Sequence, residues 1–291
     1  MEPHYFHYAT KGLQDDVLFE NAEAYIAGMN RVATCYIMCC SKHPVKIFAF
    51  CLMDNHVHFI LYGIEEDCSY FMVLFKRLTE IWLVNHPSSG RSHKNWDIGH
   101  WLIKDKEALI EKINYVHRNP TVAGLPYTPY GYPWSTGGLI YTDLSNIKLT
   151  CKEMGSLSIR EKKQYFNTHI DYPDNWMILP TGVIWPGNYV EYKRVENIFS
   201  SASRYMYELN KRVEETVNIE MLSDNISLPD GEIREKAKKA ANEMYDTSII
   251  NELSIKQRAV IGKQLHREYG ASIKQLSRIL GIKCDDLKLI I

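Results

Sequence analysis

The amino-acid sequence predicts an α+β fold, in which an antiparallel sheet with helices packed on it is followed by a mostly α-helical C-terminal region. Short β-prone runs alternate with segments of helical periodicity over roughly residues 4–119. Two of these runs are separated only by Asp54 and Asn55, which is typical of a β-hairpin and therefore of antiparallel pairing. From Glu191 onward the periodicity is helical, apart from a loop expected at Ser223–Asp230.

The elements of the first region follow one another as strand, helix, hairpin, helix, strand and helix. Each assignment depends on apolar spacing, together with residues that begin or end an element. Asn21 and Asp105 are expected to cap helices, and Pro120 is expected to lie beyond a helix end. The predicted elements are a strand at Tyr5–Thr10, a helix at Asn21–Cys40, hairpin strands at Val45–Met53 and His56–Tyr62, a helix at Asp67–Asn85, a strand within Trp96–Ile103 and a helix at Asp105–Asn119.

The same patterns divide the chain into three parts. Prolines and glycines between Pro126 and Pro133 interrupt the periodicity, so the first domain is expected to span residues 1–139. Residues 140–190 are assigned to a connecting segment and residues 191–291 to a helical domain.

Residues 254–291 resemble a helix-turn-helix. Helices are expected at Ser254–Tyr269 and Ser272–Gly281, and a third begins at Asp285. This stretch carries eight basic and three acidic side chains, which favours contact with DNA. The acidic pair Asp285 and Asp286, at the start of the expected recognition helix, favours a solvated helical bundle instead.

Composition and charge exclude several classes of protein. With 45% hydrophobic and 24% charged residues, the chain is neither collagen-like nor wholly disordered. Its best apolar run, Ile47–Met53, is far shorter than the ~20 residues of a membrane helix, so no membrane partner is expected. We expect no secretory signal, and the seven cysteines form no CxxC pair, which favours the cytoplasm. The net charge of -1 means that any contact with DNA comes from local patches.

The most informative segment is Asn55–Ile60, which contains the histidines His56 and His58. Side chains alternate along a strand, so these two imidazoles point to the same face and could chelate one metal ion. A bare His-x-His pair is more often structural. Here, however, the pair follows a turn within a predicted sheet core, where unpaired imidazoles would be costly to bury.

A second segment supplies groups that complement the histidines. Tyr115 and Asn119 are four residues apart in a predicted helix and therefore share one face. If that face packs on the hairpin, a phenol and an amide oxygen meet the two imidazoles, and a metal ion held there would keep open positions for a phosphate oxygen. A phenol is a weak nucleophile near neutral pH, since its reference pKa is about 10. His117 points elsewhere and is interpreted as structural.

Three motifs occur in the same order as in a known family. They are Asn-His-Val-His-Phe at 55–59, Tyr-Val-His-Arg-Asn-Pro-Thr-Val-Ala-Gly-Leu at 115–125 and Tyr-Pro-Trp-Ser at 132–135. Over roughly residues 4–137 the chain resembles the single-tyrosine HUH transposases, and most closely the REP-associated tyrosine transposases. The resemblance implies a ferredoxin-like antiparallel sheet with packed helices, called the HUH domain, in a bacterial protein that associates with the nucleoid when it binds DNA.

The resemblance also implies a mechanism. Tyr115 corresponds to the catalytic nucleophile, and His56, His58 and Asn119 correspond to ligands of a divalent metal, Mg²⁺ or Mn²⁺. The family cleaves single-stranded DNA, usually at or near a hairpin, forms a 5′-phosphotyrosine and then religates. The implied partner is therefore single-stranded or hairpin DNA. A homodimer is one of two states that the family shows, the other being a monomer.

Further residues are candidates for DNA contact, and one departs from the family pattern. Basic residues that could bind phosphate are Arg91, Lys94, Arg118, Lys274 and Arg278, although each is more often a plain surface charge. Asp54 stands where relatives commonly have a small residue or proline. It could tune metal affinity, but capping of the turn is the favoured interpretation.

Three functions compete at this stage. The leading hypothesis is a metal-dependent transposase that cleaves and transfers single-stranded DNA. The alternatives are a domesticated protein that binds hairpin DNA without cleavage, and a metal-dependent nuclease that uses water. Only the first needs Tyr115 as a nucleophile, so a covalent protein–DNA adduct distinguishes it from the others.

Overall fold

A computed structural model describes residues 2–10, 17–86, 97–166, 170–210, 228 and 230–290. Four strands form the main sheet: β1 (His4–Thr10), β2 (Lys46–Leu52), β3 (Val57–Gly63) and β4 (Ile98–Ile103). Their order is β2–β3–β1–β4, and every neighbouring pair is antiparallel. β2 and β3 are the expected hairpin, and the amide of Met53 donates to the carbonyl of His56 across its turn. The α+β class predicted from the sequence is confirmed.

Helices cover both faces of this sheet. They are α1 (Ala22–Cys39), α2 (Glu65–Asn85) and α3 (Lys106–Val122). On one face, Phe59 of β3 packs edge-on against Phe71 and Phe75 of α2. On the other face, the ring of His58 meets the ring of Tyr115 on α3. Since neighbouring side chains of a strand point to opposite faces, β3 contributes to the core on one side and to a polar cluster on the other.

The predicted N-caps Asn21 and Asp105 are confirmed, whereas α2 begins at Glu65 rather than at Asp67 and one predicted helix end is wrong. The side chains of Asn21 and Asp105 accept hydrogen bonds from backbone amides three residues ahead, as N-caps do. α3 does not stop before Pro120 but continues to Val122 with the proline in its last turn. The carbonyl of Pro120 accepts a hydrogen bond from Leu125 around Gly124, whose φ is +80°. This glycine, rather than the proline, ends the helix.

Residues 140–210 pack on the first core. Their elements are α4 (Ile147–Thr150), β5 (Lys152–Glu153), α5 (Ile159–Phe166), β6 (Met177–Ile178), α6 (Tyr192–Phe199) and α7 (Ala202–Asn210). The side chain of Asn30 on α1 donates a hydrogen bond to the carbonyl of Gly182 and accepts one from the amide of Ile184, and these two bonds hold this segment against α1. The buried cluster includes residues from Phe6 to Leu209. The expected domain boundaries at residues 139 and 191 stay a prediction.

The C-terminal helices form a second hydrophobic cluster. They are α8 (Asp230–Tyr245), α9 (Ile255–Tyr269), α10 (Ile273–Leu280) and α11 (Cys284–Lys288). Ser254 and Ser272 each begin a capping box, and Gly270 and Gly281 end the helices with positive φ. α11 has only five residues, and its assignment to a helix-turn-helix stays a prediction. Among the described residues, no helix combines the length and apolar character needed to cross a membrane.

A buried cluster of four charges joins the two units. Arg234 of α8 lies 3.3 Å from the carboxylate of Asp54, which occupies the turn between β2 and β3, and both side chains are almost fully buried. Arg278 of α10 lies 2.8 Å from the carboxylate of Asp230. We call Asp54, Asp230, Arg234 and Arg278 the charge cluster. It ties the C-terminal helices to the turn that precedes His56.

Candidate active site

The hairpin turn brings the two histidines of the His-x-His motif together. His56 ends the turn, His58 is the second residue of β3, and their ring centroids lie 5.0 Å apart at an interplanar angle of 86°. His58 is buried and His56 is partly exposed. The backbone carbonyl of Asp54 accepts hydrogen bonds from the amides of Leu18 and Phe19, so the turn is held by a second segment of chain.

Helix α3 adds the two other predicted site residues. Asn119 places its Oδ1 3.2 Å from Nε2 of His56. The ring of Tyr115 lies 5.3 Å from that of His58, nearly perpendicular to it, and Tyr115 is 43% exposed. The structure therefore brings Tyr115, Asn119, His56 and His58 into one site, although their separation in sequence is large. Their catalytic and metal-binding roles stay predictions.

The hydrogen bonding of His56 suits a metal ligand. Its Nδ1 lies 2.7 Å from Oδ1 of Asn55, while its Nε2 faces Oδ1 of Asn119. Burial lowers the pKa of His56 below its usual value, so the ring is neutral and carries one N–H for two oxygens. When Nδ1–H donates to Asn55, the lone pair of Nε2 and an amide oxygen face each other. A cation between them would satisfy both.

His58 is also held as a neutral imidazole. Burial, reinforced by the neighbouring rings of His56 and His7 and by Lys112, lowers its pKa well below the usual value. The described residues contain no group of three or more His, Cys, Asp or Glu side chains placed to hold one ion. A cation here would therefore be bound by two imidazoles and the amide oxygen of Asn119, with further positions left for water or substrate.

His7 is a site residue that sequence reasoning missed. Its Nε2 lies 3.1 Å from Nδ1 of His58, and its ring centroid lies 5.8 Å from that of Tyr115. Burial, with a contribution from Lys112, lowers its pKa to about 4. His7 occurs in an ordinary aromatic strand, and only the pairing of β1 with β3 brings it to the site. No local signal could have identified it.

Two nearby residues are structural. His117 is fully buried, with Nε2 3.0 Å from the hydroxyl of Thr136 and Nδ1 3.0 Å from the hydroxyl of Tyr205. Burial lowers its pKa to about 3, so it stays neutral. Tyr132 is only 3% exposed and donates to the carbonyl of Leu52, which makes it inaccessible to a polymer substrate.

The candidate phosphate contacts are placed in different surroundings. Arg118 is buried on α3 and lines a cleft of about 220 Å³ that also contains Arg204 and Glu208. Lys274 donates to the carbonyl of Val122, and Arg278 donates to that of Ala123 and to Asp230. These two cations therefore join the two units of the chain in this conformation. The other two candidates, Arg91 and Lys94, lie outside the described residues.

Asp54 has a role that neither sequence interpretation included. Its carboxylate pairs with Arg234. Burial by itself would raise the pKa of Asp54, but the guanidiniums of Arg278 and Arg234 outweigh it and lower the pKa below its usual value. The side chain that departs from the family pattern is thus an anchor for the C-terminal helices.

Comparison with known proteins bears on the family. A curated Haemophilus influenzae protein named as a REP-associated tyrosine transposase is 22% identical over 132 residues, which cover 41% of this chain and 75% of the relative. This similarity confirms the resemblance to the REP-associated tyrosine transposases. A scan of protein-family profiles gives no match.

A solved structure of a REP-associated tyrosine transposase bound to a REP hairpin also aligns with this chain. The alignment has a TM-score of 0.34 and 12% identity, and it covers 46% of this chain and 76% of that one. A superposition this weak carries no detail of the transposase site over to these residues.

Proposed function

We propose that this chain is a DNA-strand transferase that cleaves single-stranded DNA with Tyr115 as the nucleophile. The observation that carries the proposal is the meeting of Tyr115 with His56, His58 and Asn119 at one site. Half-exposed Tyr115 is open to a polymer, whereas Tyr132 of the Tyr-Pro-Trp-Ser motif is buried and is not. The order β2–β3–β1–β4, with α1 and α2 as crossovers, supports a ferredoxin-like HUH domain.

The proposed reaction exchanges one phosphate ester for another. Oη of Tyr115 attacks the phosphorus of a phosphodiester, and the bond from phosphorus to the 3′ oxygen breaks. The 5′ end stays on the protein as a phosphotyrosine, and the 3′ oxygen leaves as a hydroxyl, with the proton of the phenol passing to it through solvent. Attack by a 3′ hydroxyl then reverses the step and joins strands without an external energy source.

His56, His58 and Asn119 would hold a divalent cation, Mg²⁺ or Mn²⁺. In the tautomers that suit this role, Nδ1–H of His56 donates to Asn55 and Nδ1–H of His58 donates to His7. Both Nε2 atoms then present lone pairs, as metal ligands must. A cation bound there would offset charge on the phosphate that is attacked.

The substrate class follows from the exposure and charge around the nucleophile. The ammonium of Lys112 lies 5.7 Å from the ring centroid of Tyr115, so a cation already flanks the position that a phosphate would take. The family resemblance makes a DNA hairpin the natural substrate. The competing proposal is a domesticated protein that binds hairpins without cutting them.

A covalent adduct tests the proposal. The full-length chain is incubated with 3′-labelled single-stranded hairpins and Mn²⁺ and then run on a denaturing gel, since the fragment that carries the 3′ end is the one that stays on the tyrosine. The adduct should form with the native chain and disappear in Tyr115→Phe, which loses only the hydroxyl. Tyr70→Phe is a matched control, since Tyr70 is exposed to the same extent but lies on α2, on the opposite face of the sheet.

The outcomes separate the three functions. Adduct formation by native protein and Tyr70→Phe, but not by Tyr115→Phe, supports strand transfer. Cleavage without an adduct indicates a nuclease that uses water. Tight binding with neither cleavage nor adduct indicates the domesticated binder. An adduct that persists in Tyr115→Phe rules out Tyr115 as the nucleophile.

A further inference from the structure

Trp101 is an exposed aromatic residue next to the candidate active site. It lies on β4, which is an edge strand of the described sheet, and the residue is 55% exposed. The pairing of β1 with β4 places it opposite His7. Its ring stacks on that of His7, with centroids 5.4 Å apart and planes 30° apart. His7 also contacts Tyr115, so the indole and the candidate nucleophile flank the same imidazole.

Gly99 allows the indole to lie flat against the sheet. It precedes Trp101 by two residues and so shares its face of β4. A Cβ built on Gly99 would lie 3.0 Å from Cη2 of Trp101, which is closer than such atoms usually approach. One side of the indole is thus covered by His7 and the strand. No second aromatic ring of the described residues stacks on Trp101.

We propose that Trp101 is a stacking platform for a nucleobase of single-stranded DNA beside the scissile phosphate. The identity of the ligand rests on the proposed function, whereas the platform rests on the geometry of Trp101, Gly99 and His7. A strand with a phosphate at the hydroxyl of Tyr115 passes next to the indole, because both rings contact His7.

A nucleobase fits this surface better than an apolar partner does. Unpaired bases offer flat π-faces, and aromatic side chains bind them without strong sequence preference. Lys112, beside Tyr115, supplies the positive charge that a phosphate backbone requires. Bases within a duplex are already stacked and cannot occupy the platform, so the surface selects single-stranded DNA at the cleavage position.

The test measures binding separately from cleavage. Fluorescein-labelled single-stranded 12-mers are titrated with the full-length Tyr115→Phe chain in EDTA, and fluorescence polarisation gives the Kd. Adding Trp101→Ala should weaken binding about 10-fold to 100-fold. A series of 12-mers with one abasic position each should show one position with a similar loss. That loss should vanish when Trp101 is already alanine, because the same stack cannot be lost twice.

Three further variants separate stacking from a structural role. Trp101→Phe should restore much of the affinity, since a smaller aromatic face remains. Gly99→Val keeps the indole but displaces it, and should weaken binding nearly as much as Trp101→Ala. Tyr70→Ala removes another exposed aromatic ring, which stacks on His43 on the opposite side of the molecule, and should have no effect.

The results distinguish failure of the platform from failure of the proposed function. If the native chain forms an adduct and Trp101→Ala leaves the Kd and the abasic pattern unchanged, the platform is overturned alone. If no adduct forms but the loss at one abasic position depends on Trp101, strand transfer fails and the platform stands. If the 12-mers do not bind at all, the platform is overturned, and the adduct assay alone decides strand transfer.

Discussion

Removing one member of the charge cluster should destabilise the chain strongly. Arg234→Met keeps an unbranched apolar stem but leaves the buried carboxylate of Asp54 without its partner at 3.3 Å. Breaking a buried ion pair from one side costs about 3–5 kcal/mol, because the remaining charge is still desolvated. Arg278 stays close enough to attract Asp54, so the lower end, about 3 kcal/mol, is expected.

Removing both partners should cost much less. Asp54→Asn combined with Arg234→Met replaces two buried charges by neutral groups, and such replacements are often close to neutral. The expected interaction energy between the two sites, from the double-mutant cycle, is about 2–3 kcal/mol. Among the described residues, Nε and Nη1 of Arg234 have no hydrogen-bond partner, so the pair is incompletely satisfied and its removal forfeits little hydrogen bonding.

Urea unfolding followed by circular dichroism measures these free energies, and hydrogen exchange locates the effect. We expect faster exchange in α8 and at the amides of Leu18 and Phe19, which donate to the carbonyl of Asp54. Lys239→Met is the control, because Lys239 lies on the same helix in an exposed pair with Glu243 and should change little. If Arg234→Met unfolds at the same urea concentration as the native chain and its amide hydrogen exchange is unchanged, the charge cluster does not anchor the helices.

Two further predictions concern the metal site and the pH dependence of stability. His58→Ala should weaken Mn²⁺ binding by more than about 100-fold, and Asn119→Ala should weaken it by about 10-fold because water can replace an amide oxygen. The electron paramagnetic resonance of free Mn²⁺ measures both affinities, and His100→Ala is the control because His100 is exposed. If both site variants bind Mn²⁺ as tightly as the native chain, a metal site is excluded. Burial raises the pKa of Asp230 from 3.8 to about 6. Between these two pH values the carboxyl takes up a proton when the chain folds, so its contribution to the free energy of unfolding grows as the pH falls through 6. As the pH is lowered from 7 to 5, the free energy of unfolding of the native chain, measured in urea, should rise relative to that of Asp230→Asn by up to about 1.4 kcal/mol per pH unit. If the difference between the two free energies does not change with pH, the assignment to Asp230 is contradicted.

The sequence predicted those features that local chemistry determines. Asn21 and Asp105 cap helices because a short polar side chain can reach the free amides of the first turn. The hairpin was predictable since Asp54 and Asn55 separate two β-prone runs. The candidate site was predictable in part, because helical spacing places Tyr115 and Asn119 on one face, and the order of the three motifs implied which sheet that face would meet.

The rest depends on contacts between distant segments. His7 reaches the site only through the register of β1 against β3, in which His7 is opposite Ile60 and Ala9 is opposite His58. The packing of residues 140–210 on α1 depends on Asn30 bonding to two backbone groups more than 150 residues away. Neither the composition nor the periodicity of these segments carries such information.

The hairpin turn before His56 belongs to both units of the chain, which relates their packing to the candidate chemistry. The backbone carbonyl of Asp54 accepts hydrogen bonds from the amides of Leu18 and Phe19 in the first unit, while its carboxylate pairs with Arg234 of the second unit. Asn55, the next residue, orients the ring of His56 through Nδ1. A displacement of α8 would therefore act on a candidate metal ligand through two consecutive residues. The C-terminal helices can in this way support the site by holding its turn, with Lys274 donating to the carbonyl of Val122 in the first unit.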